Sequence, residues 1–526
     1  MSKLIVSAFA DEFSPALEEQ LSALQTLGIS CIEPRMLDGK NIADLTESEA
    51  LALADRLAAA GISVPAVGSP IGKLYPEEDF AAHLARAERA FLNTKILGAR
   101  YCRVFSFYGL SEEETFLRME KLLELADRCG ITLCHENEAN IYGESPEACL
   151  TLLKHFGGRL KAVFDGGNFV LGGYDPTHAY GLLKDYVAYF HIKDASQGII
   201  LPAGEGDAAI APLLLAHLKE YGDTVATLEP HLFDFKGLHS LAPEQLKRLH
   251  TYADEKEAFT AGAHAFLKLP VHALQKDRLT AKVYADREGM GHAAALEIAA
   301  RLRELLAAQE EVNVIFAAAP SQNETLFHLT RQPEIDWNRI NAFHMDEYIG
   351  LAADAPQCFS NFLEDAIFSK VPFKRVFKLN PAADPVEEAV RYADLLKQYP
   401  VDVVCMGIGE NGHIAFNDPG VADFNDPYLV KRAKLDEVCR NQQVHDGCFA
   451  AIDEVPKEAM TLTVPALLAG KSLFCMVPAA TKRAAVRAML NGPITDLCPC
   501  TALREHADAT LYCDSDSFGL FGGEEA

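Results

Sequence analysis

The residues best suited to chemistry lie in the run Gly407-Ile408-Gly409-Glu410-Asn411-Gly412-His413-Ile414-Ala415-Phe416-Asn417-Asp418-Pro419. A glycine-rich turn there presents His413 and Asp418, an imidazole and a carboxylate that together can move protons near neutral pH. Asp346, in His344-Met345-Asp346-Glu347-Tyr348, lies at another strand end. Lys482 opens a helix after Pro478-Ala479-Ala480-Thr481, where an ammonium and a helix dipole can act together on a phosphate. In Ala319-Pro320-Ser321-Gln322-Asn323-Glu324, Ser321 reads as a helix N-cap with Glu324 at the capping-box position, and the turn is a candidate anion site.

A second group is spread over the first half. Glu136, Asp165, His191 and Glu229 each end an apolar run. Three carboxylates and an imidazole in register make a hard, oxygen-rich site for a divalent cation such as Mn²⁺, Mg²⁺, Co²⁺ or Zn²⁺. Such an ion polarises a carbonyl while a carboxylate moves a proton. Singly, a strand-end Asp or Glu often only caps the next helix. Lys193 serves either an anionic substrate group or a solvated loop. Glu33 and Arg35 contact substrate or pair with each other.

The elements that must position these residues follow from patterning. Between residue 3 and about 235, short apolar runs alternate with amphipathic ones. The predicted strands are Lys3–Phe9, Ile29–Glu33, Ile62–Val67, Ala99–Phe107, Ile131–Glu136, Leu160–Asp165, Val187–Ile192 and Thr224–Glu229. The predicted helices include Pro15–Leu27, Glu47–Ala60, Phe80–Leu97, Ser111–Cys129 and Ala211–Tyr221, closed by Gly28, Gly61, Gly98, Gly130 and Gly222. Eight strands with crossovers in that length predict an α/β fold, a (β/α)8 TIM barrel with its chemistry at the carboxyl strand ends. Pro243–Ala261 reads as helix, and a domain boundary is expected near residue 265. Domains 1–264 and 265–526 result. In the second, strands at Leu279–Ala285, Val312–Ala318, Ile340–Phe343, Val401–Met406, Met460–Val464 and Ser472–Val477, with helices at Gly291–Ala308 and Pro385–Gln398, predict an open, mostly parallel α/β (Rossmann-like) sheet.

Composition narrows the partners. A net charge of −27 over 526 residues argues against nucleic acid, which needs a basic surface, and leaves anionic small molecules open. Thirteen cysteines without a CxxC pair suit free thiols in a reducing cytosol. No apolar run is long enough to span a membrane and no signal-peptide pattern opens the chain, so a cytoplasmic enzyme is expected.

Family resemblance sharpens both halves. Phe9-Ala10-Asp11-Glu12, Ile32-Glu33-Pro34-Arg35, Arg103-Val104-Phe105-Ser106-Phe107-Tyr108, Phe190-His191-Ile192-Lys193-Asp194 and Leu228-Glu229-Pro230-His231 resemble the xylose-isomerase-like sugar phosphate isomerase/epimerase family. The resemblance implies that Glu136, Asp165, His191 and Glu229 hold a metal, with Glu136 and Glu229 shuttling a proton. Asn168 stands where some epimerases carry a histidine. His344–Leu351 and Gly407–Pro419 resemble the glucosamine-6-phosphate deaminase family, with Lys482 in its phosphate-binding position. Tyr348 and the Gly412–Asn417 loop set the chain apart from the related 6-phosphogluconolactonases.

That second resemblance implies roles without a metal. Asp346 would move the proton between C1 and C2, His413 would open the pyranose ring, Asp418 would orient His413, and Ser321, Gln322 and Lys482 would hold the phosphate. The departures are Asn411 for an aspartate, Asp418 for a glutamate, a phosphate loop without glycines, and Gln443 for an arginine, with Arg440 as a substitute and Asn411 facing the substrate. The expectation is a bifunctional enzyme acting on sugar phosphates. Two alternatives stand beside it: one half as a silent sugar-phosphate sensor, or a lactone hydrolase in the second half. Assembly into a homo-oligomer is compatible with both families.

Overall fold

The computed structural model describes residues 3–234, 247–435, 437–445 and 447–520. The chain divides into two compact units, Ser2–Leu269 and Pro270–Ala526. The helix expected over Pro243–Ala261 begins at Glu255 and runs to Leu267, through residue 265, while residues 243–246 lie outside the described set. Leu269-Pro270 follows it, where a proline blocks further helix.

In the first unit seven parallel strands lie in the order Leu4–Ala8, Thr224–Leu228, Val187–Ile192, Leu160–Asp165, Thr132–Glu136, Tyr101–Val104, Ala66–Val67. The strand expected at Ile29–Glu33 is instead an irregular segment that closes the ring. Glu33 N–H donates to the Ala8 carbonyl on one side (3.0 Å) and Ile32 N–H to the Ser63 carbonyl on the other (3.0 Å). Cys31 adds a single parallel bridge to Ser63. Pro34 has no N–H and cannot extend a ladder.

Alternation along the strands sends Ala66, Cys134, Val163, Tyr189 and Val225 into the barrel and leaves the other face to the helices. Those helices are Leu17–Thr26, Glu47–Ala59, Phe80–Ile96, Glu112–Cys129 and Ile210–Tyr221, close to the predicted spans. Thr46 and Glu49 form a reciprocal capping box, and Gly130 ends its helix at φ 73°. Pro146–His155, Gly166–Leu171 and Pro176–Leu183 are additional helices.

The second unit carries an eight-stranded sheet in the order His272–Lys276, Leu279–Tyr284, Ala509–Asp514, Ser472–Val477, Val403–Met406, Val312–Phe316, Ile340–His344, Arg375–Phe377. Only the first pair is antiparallel. From Val312–Phe316 the chain passes to Ile340–His344 on one side and returns at Val403–Met406 on the other. That reversal opens a crevice at the carboxyl ends of the central strands. A smaller antiparallel sheet joins Asp346–Tyr348, Glu458–Leu462 and Val430–Lys434. The strand expected at Met460–Val464 belongs here. Arg287–Ala308 and Pro385–Gln398 are helices, the latter capped by Asp384 through the N–H groups of Val386 and Glu387.

Candidate active sites

In the second unit one cavity at the carboxyl strand ends is lined by Ser321, Asp346, His413 and Lys482 together. The main-sheet strand Ile340–His344 ends there, and after Met345 the chain enters the small sheet at Asp346. Burial, reinforced by the neighbouring Glu347 charge, raises the Asp346 carboxyl well above the usual carboxylate range. Glu347 points away and accepts N–H bonds from Tyr348, Phe359 and Ser360 (3.0, 3.0 and 2.9 Å), a structural anchor.

The loop after Val403–Met406 holds its histidine from behind. His413 Nδ1 lies 2.8 Å from Asn411 Oδ1 and 3.0 Å from Asp418 Oδ1. Asn411 Nδ2 donates to the same Asp418 oxygen at 3.0 Å, and Asn411 Oδ1 accepts the His413 N–H at 3.0 Å. Asn411 therefore bridges the pair, and it stands behind His413 rather than among the residues that line the cavity. Burial works against an ionised Asp418, yet the His413 and Asn411 hydrogen bonds hold its carboxyl below the usual range. With Nδ1 occupied, Nε2 is the nitrogen left for chemistry. The glycines act by close approach: a Cβ on Gly409 would lie 2.1 Å from His413 Cε1. Gly412 supplies the turn, at φ 85°.

Three expected contacts fall elsewhere. Ser321 is not an N-cap; it sits in a 3₁₀ turn, Pro320–Gln322, and Glu324 pairs with Arg287 (2.8 Å) because that guanidinium lies beside it. Gln322 is fully buried, donating to Ser321 Oγ (3.0 Å) and the Met406 carbonyl (3.3 Å), so it braces the loop. Arg440 does not line the cavity; it donates to the carbonyls of Ile452 (2.5 Å) and Val455 (3.1 Å). Gln443, which does line it, accepts the Tyr348 hydroxyl at 2.8 Å.

The residue that pattern reading missed is Arg287. It lines the cavity beside the Ser321 loop, donating one edge to Glu324 and to the Pro320 carbonyl (2.9 Å). Its signal was present: Arg287 follows the helix cap Asp286 in a strand-to-helix turn of the parallel sheet.

In the first unit Glu136, Asp165, His191 and Glu229 come together as expected, each offering a ligand atom within 4.8 Å of the others. All four are buried. His191 Nδ1 lies 3.1 Å from Glu136 Oε1 and 3.3 Å from Glu229 Oε2 but makes no well-angled hydrogen bond. An orphaned imidazole nitrogen facing carboxylates fits a divalent cation. Asp165 also accepts the Asn168 N–H at 2.8 Å and so caps the next helix.

Lys193 is buried and donates to Asp165 (3.0 Å), Asn168 (3.0 Å) and Glu229 (3.3 Å), which excludes the solvated reading. Glu33 and Arg35 do not pair with each other. Arg35 grips Asp11 and Glu229 (2.9 Å each), and Glu33 accepts from Tyr189 (3.0 Å) beside His191 (3.3 Å). Arg103 holds Glu136 at 3.0 Å. Burial opposes charge on Glu136, but His191 and Arg103 bring its carboxyl down to about 2. Around this end the carboxylates Asp11, Glu12, Glu33, Glu136, Asp165 and Glu229 outnumber the cations Arg35, Arg103 and Lys193. That imbalance also favours a bound cation.

Comparison with known proteins divides along the same line. Residues 285–512 match the family described as glucosamine-6-phosphate isomerases/6-phosphogluconolactonase, and residues 21–252 the xylose isomerase-like TIM barrel. A glucosamine-6-phosphate deaminase of Exiguobacterium sibiricum is 34% identical over 197 residues, 37% of this chain and 75% of that protein. One of Streptococcus equi subsp. zooepidemicus is 31% identical over 214 residues, 40% of this chain and 88% of that protein. Among solved structures, a monomeric glucosamine-6-phosphate deaminase is 28% identical, with a TM-score of 0.43, over 46% of this chain and 99% of that one. A 6-phosphogluconolactonase from Thermotoga maritima is 18% identical, with a TM-score of 0.38, over 45% of this chain and 99% of that one.

Proposed function

Through residues 285–512 the chain belongs to the glucosamine-6-phosphate isomerase/6-phosphogluconolactonase family, and from that premise we propose that its second unit converts glucosamine 6-phosphate, or a closely related amino-sugar phosphate, to a ketose phosphate and ammonia. The observation that carries the reading is the convergence of Asp346, the braced His413, Ser321, Lys482 and Arg287 on one cavity. His413, its Nδ1 occupied by Asn411 and Asp418, passes a proton at Nε2 to and from the ring oxygen as the pyranose opens. Asp346, its carboxyl raised by burial, takes the proton from C2 and returns it at C1. Water then replaces the nitrogen at C2 and ammonia leaves. Lys482, Arg287 and Ser321 hold the phosphate. The test is simultaneous release of ammonia and ketose phosphate; hydrolysis of 6-phosphogluconolactone without ammonia release overturns it.

The xylose isomerase-like TIM barrel is read as a metal-dependent sugar phosphate isomerase or epimerase. Glu136, Asp165, His191 and Glu229 would hold the divalent ion, which when bound supplies Lewis-acid polarisation of a substrate oxygen. His191 and Arg103 keep Glu136 ionised, Lys193 does the same for Glu229, Arg35 fixes Glu229 through its ion pair, and Lys193 also holds Asp165. Metal content of the purified chain, with Mn²⁺ and Co²⁺ titrations, tests the site. Thirteen cysteines, none of them in a disulfide, support a reducing, cytoplasmic location. Among the described residues no helix is long and apolar enough to cross a membrane.

A further inference from the structure

We propose that Cys498 and Cys500 form a thiol modification site that closes reversibly to a disulfide and, in doing so, displaces the His413 loop and slows turnover. The two sulfurs lie 3.6 Å apart across Pro499, at the start of the 3₁₀ helix Pro499–Glu505. They pack against the backbone of Gly412: a Cβ built there would lie 2.9 Å from Cys498 Sγ and 3.3 Å from Cys500 Sγ. The Cys500 N–H donates to the Gly412 carbonyl at 2.9 Å. Gly412 stands between Asn411 and His413, so the dithiol is coupled by packing and by a hydrogen bond to the segment that orients the imidazole.

The pair is built for directed reaction. Cys498 is half-buried beside the exposed Leu497, whereas Cys500 is fully buried. A hydrogen bond from Cys500 brings the Cys498 thiol down to about 7, against the opposing effect of burial. Burial pushes the thiols of Cys405, Cys475 and Cys513 up, which leaves them poor nucleophiles.

The Cys498 thiolate attacks one sulfur of a low-molecular-weight disulfide, breaking its S–S bond and releasing one small thiolate. Cys500 then loses its proton and attacks Cys498 Sγ, releasing the second. The protein dithiol gives up two electrons and two protons, and the small disulfide becomes two thiols. Closing the bond to about 2.05 Å draws the sulfurs together by roughly 1.5 Å. The Gly412 carbonyl, tied to Cys500, follows. A shift of that order in a reacting group costs about ten- to a hundredfold in rate.

The turnover clause rests on the function proposed for the cavity; the dithiol does not. The full chain is treated with oxidised glutathione, then with dithiothreitol. Peptide mapping is expected to find a Cys498–Cys500 link, deuterium uptake in peptides covering 407–419 to change, and ammonia release to fall about ten- to a hundredfold and recover on reduction. Cys498→Ser and Cys498→Ala keep the reduced rate and ignore the oxidant. A mixed disulfide without the internal link overturns the site. A formed link that leaves exchange at 407–419 unchanged overturns the coupling, as does equal inhibition of the Cys498 variants. If the reduced chain turns over no amino-sugar phosphate, the assigned function fails while mapping and exchange still decide the dithiol.

Discussion

Arg287→Ala separates binding from chemistry in the proposed deaminase site. The guanidinium already spends one edge on Glu324 (2.8 Å) and the Pro320 carbonyl (2.9 Å), and its side chain is 41% exposed. A charge-assisted hydrogen bond to a phosphate contributes about 1.5–3 kcal/mol when well shielded. Competition from Glu324 and solvent screening place this one at the low end, about 1–1.5 kcal/mol. At 1.4 kcal/mol per factor of ten, KM for the amino-sugar phosphate rises roughly five- to tenfold with kcat nearly unchanged. Steady-state ammonia release measures both constants, and Arg287→Lys should recover part of the loss. Glu324→Gln is the control for a purely structural role. It frees the guanidinium, so phosphate affinity holds or tightens. The reasoning is refuted if Arg287→Ala lowers kcat with KM unchanged, or if Glu324→Gln reproduces the Arg287→Ala defect.

Asp346→Asn removes the base and is expected to lower kcat by about 10²–10⁴-fold while inorganic phosphate still binds, as calorimetry can show. The same change should raise Tm at neutral pH. A carboxyl whose folded pKa is raised binds more protons folded than unfolded, so its ionisation costs stability as pH climbs above the ordinary carboxylate range. Each kcal/mol relieved is worth roughly 2–4 °C in a unit of this size, and an unchanged or lower Tm contradicts the burial argument. Gly409→Ala places a methyl 2.1 Å from His413 Cε1, and a turnover loss of about a hundredfold with the fold intact by circular dichroism is expected; wild-type kcat would show that the ring need not stay there. In the barrel, Glu229→Gln should weaken Mn²⁺ binding by at least about tenfold in a metal titration, and unaltered affinity removes Glu229 from the ligand set.

Much of this architecture was legible because local chemistry and global fold agree. Helices closed by glycine, and apolar runs ending in Glu136, Asp165, His191 and Glu229, announce a barrel and its working end. What escaped depends on distant partners. Nothing local tells that Ile29–Glu33 bonds irregularly to Ala8 and Ser63 rather than in a ladder. The edge strand His272–Lys276 is half-exposed throughout and lacks an apolar run. Arg35 was expected to meet Glu33 or substrate and instead reaches Asp11 and Glu229, far apart in sequence, while Arg103 gave no local signal that it would hold Glu136 on the neighbouring strand. Glu324 fitted a capping box by spacing, but Arg287, supplied by another helix, claims it. Arg440 sits near the right place in sequence and is consumed by two backbone carbonyls. Spacing alone does not reveal that the Asn411 amide ties His413 to Asp418.

The central claim is that Asp346, His413, Lys482 and their neighbours form an amino-sugar-phosphate deaminase site. The most direct measurement is the stoichiometry of products from glucosamine 6-phosphate with purified chain, assayed for ammonia and ketose 6-phosphate together, wild type against Asp346→Asn. The account predicts equal amounts of the two products from the wild type and at least about a hundredfold slower formation of both by the variant. Ketose phosphate without ammonia, or equal rates from the two proteins, would contradict it.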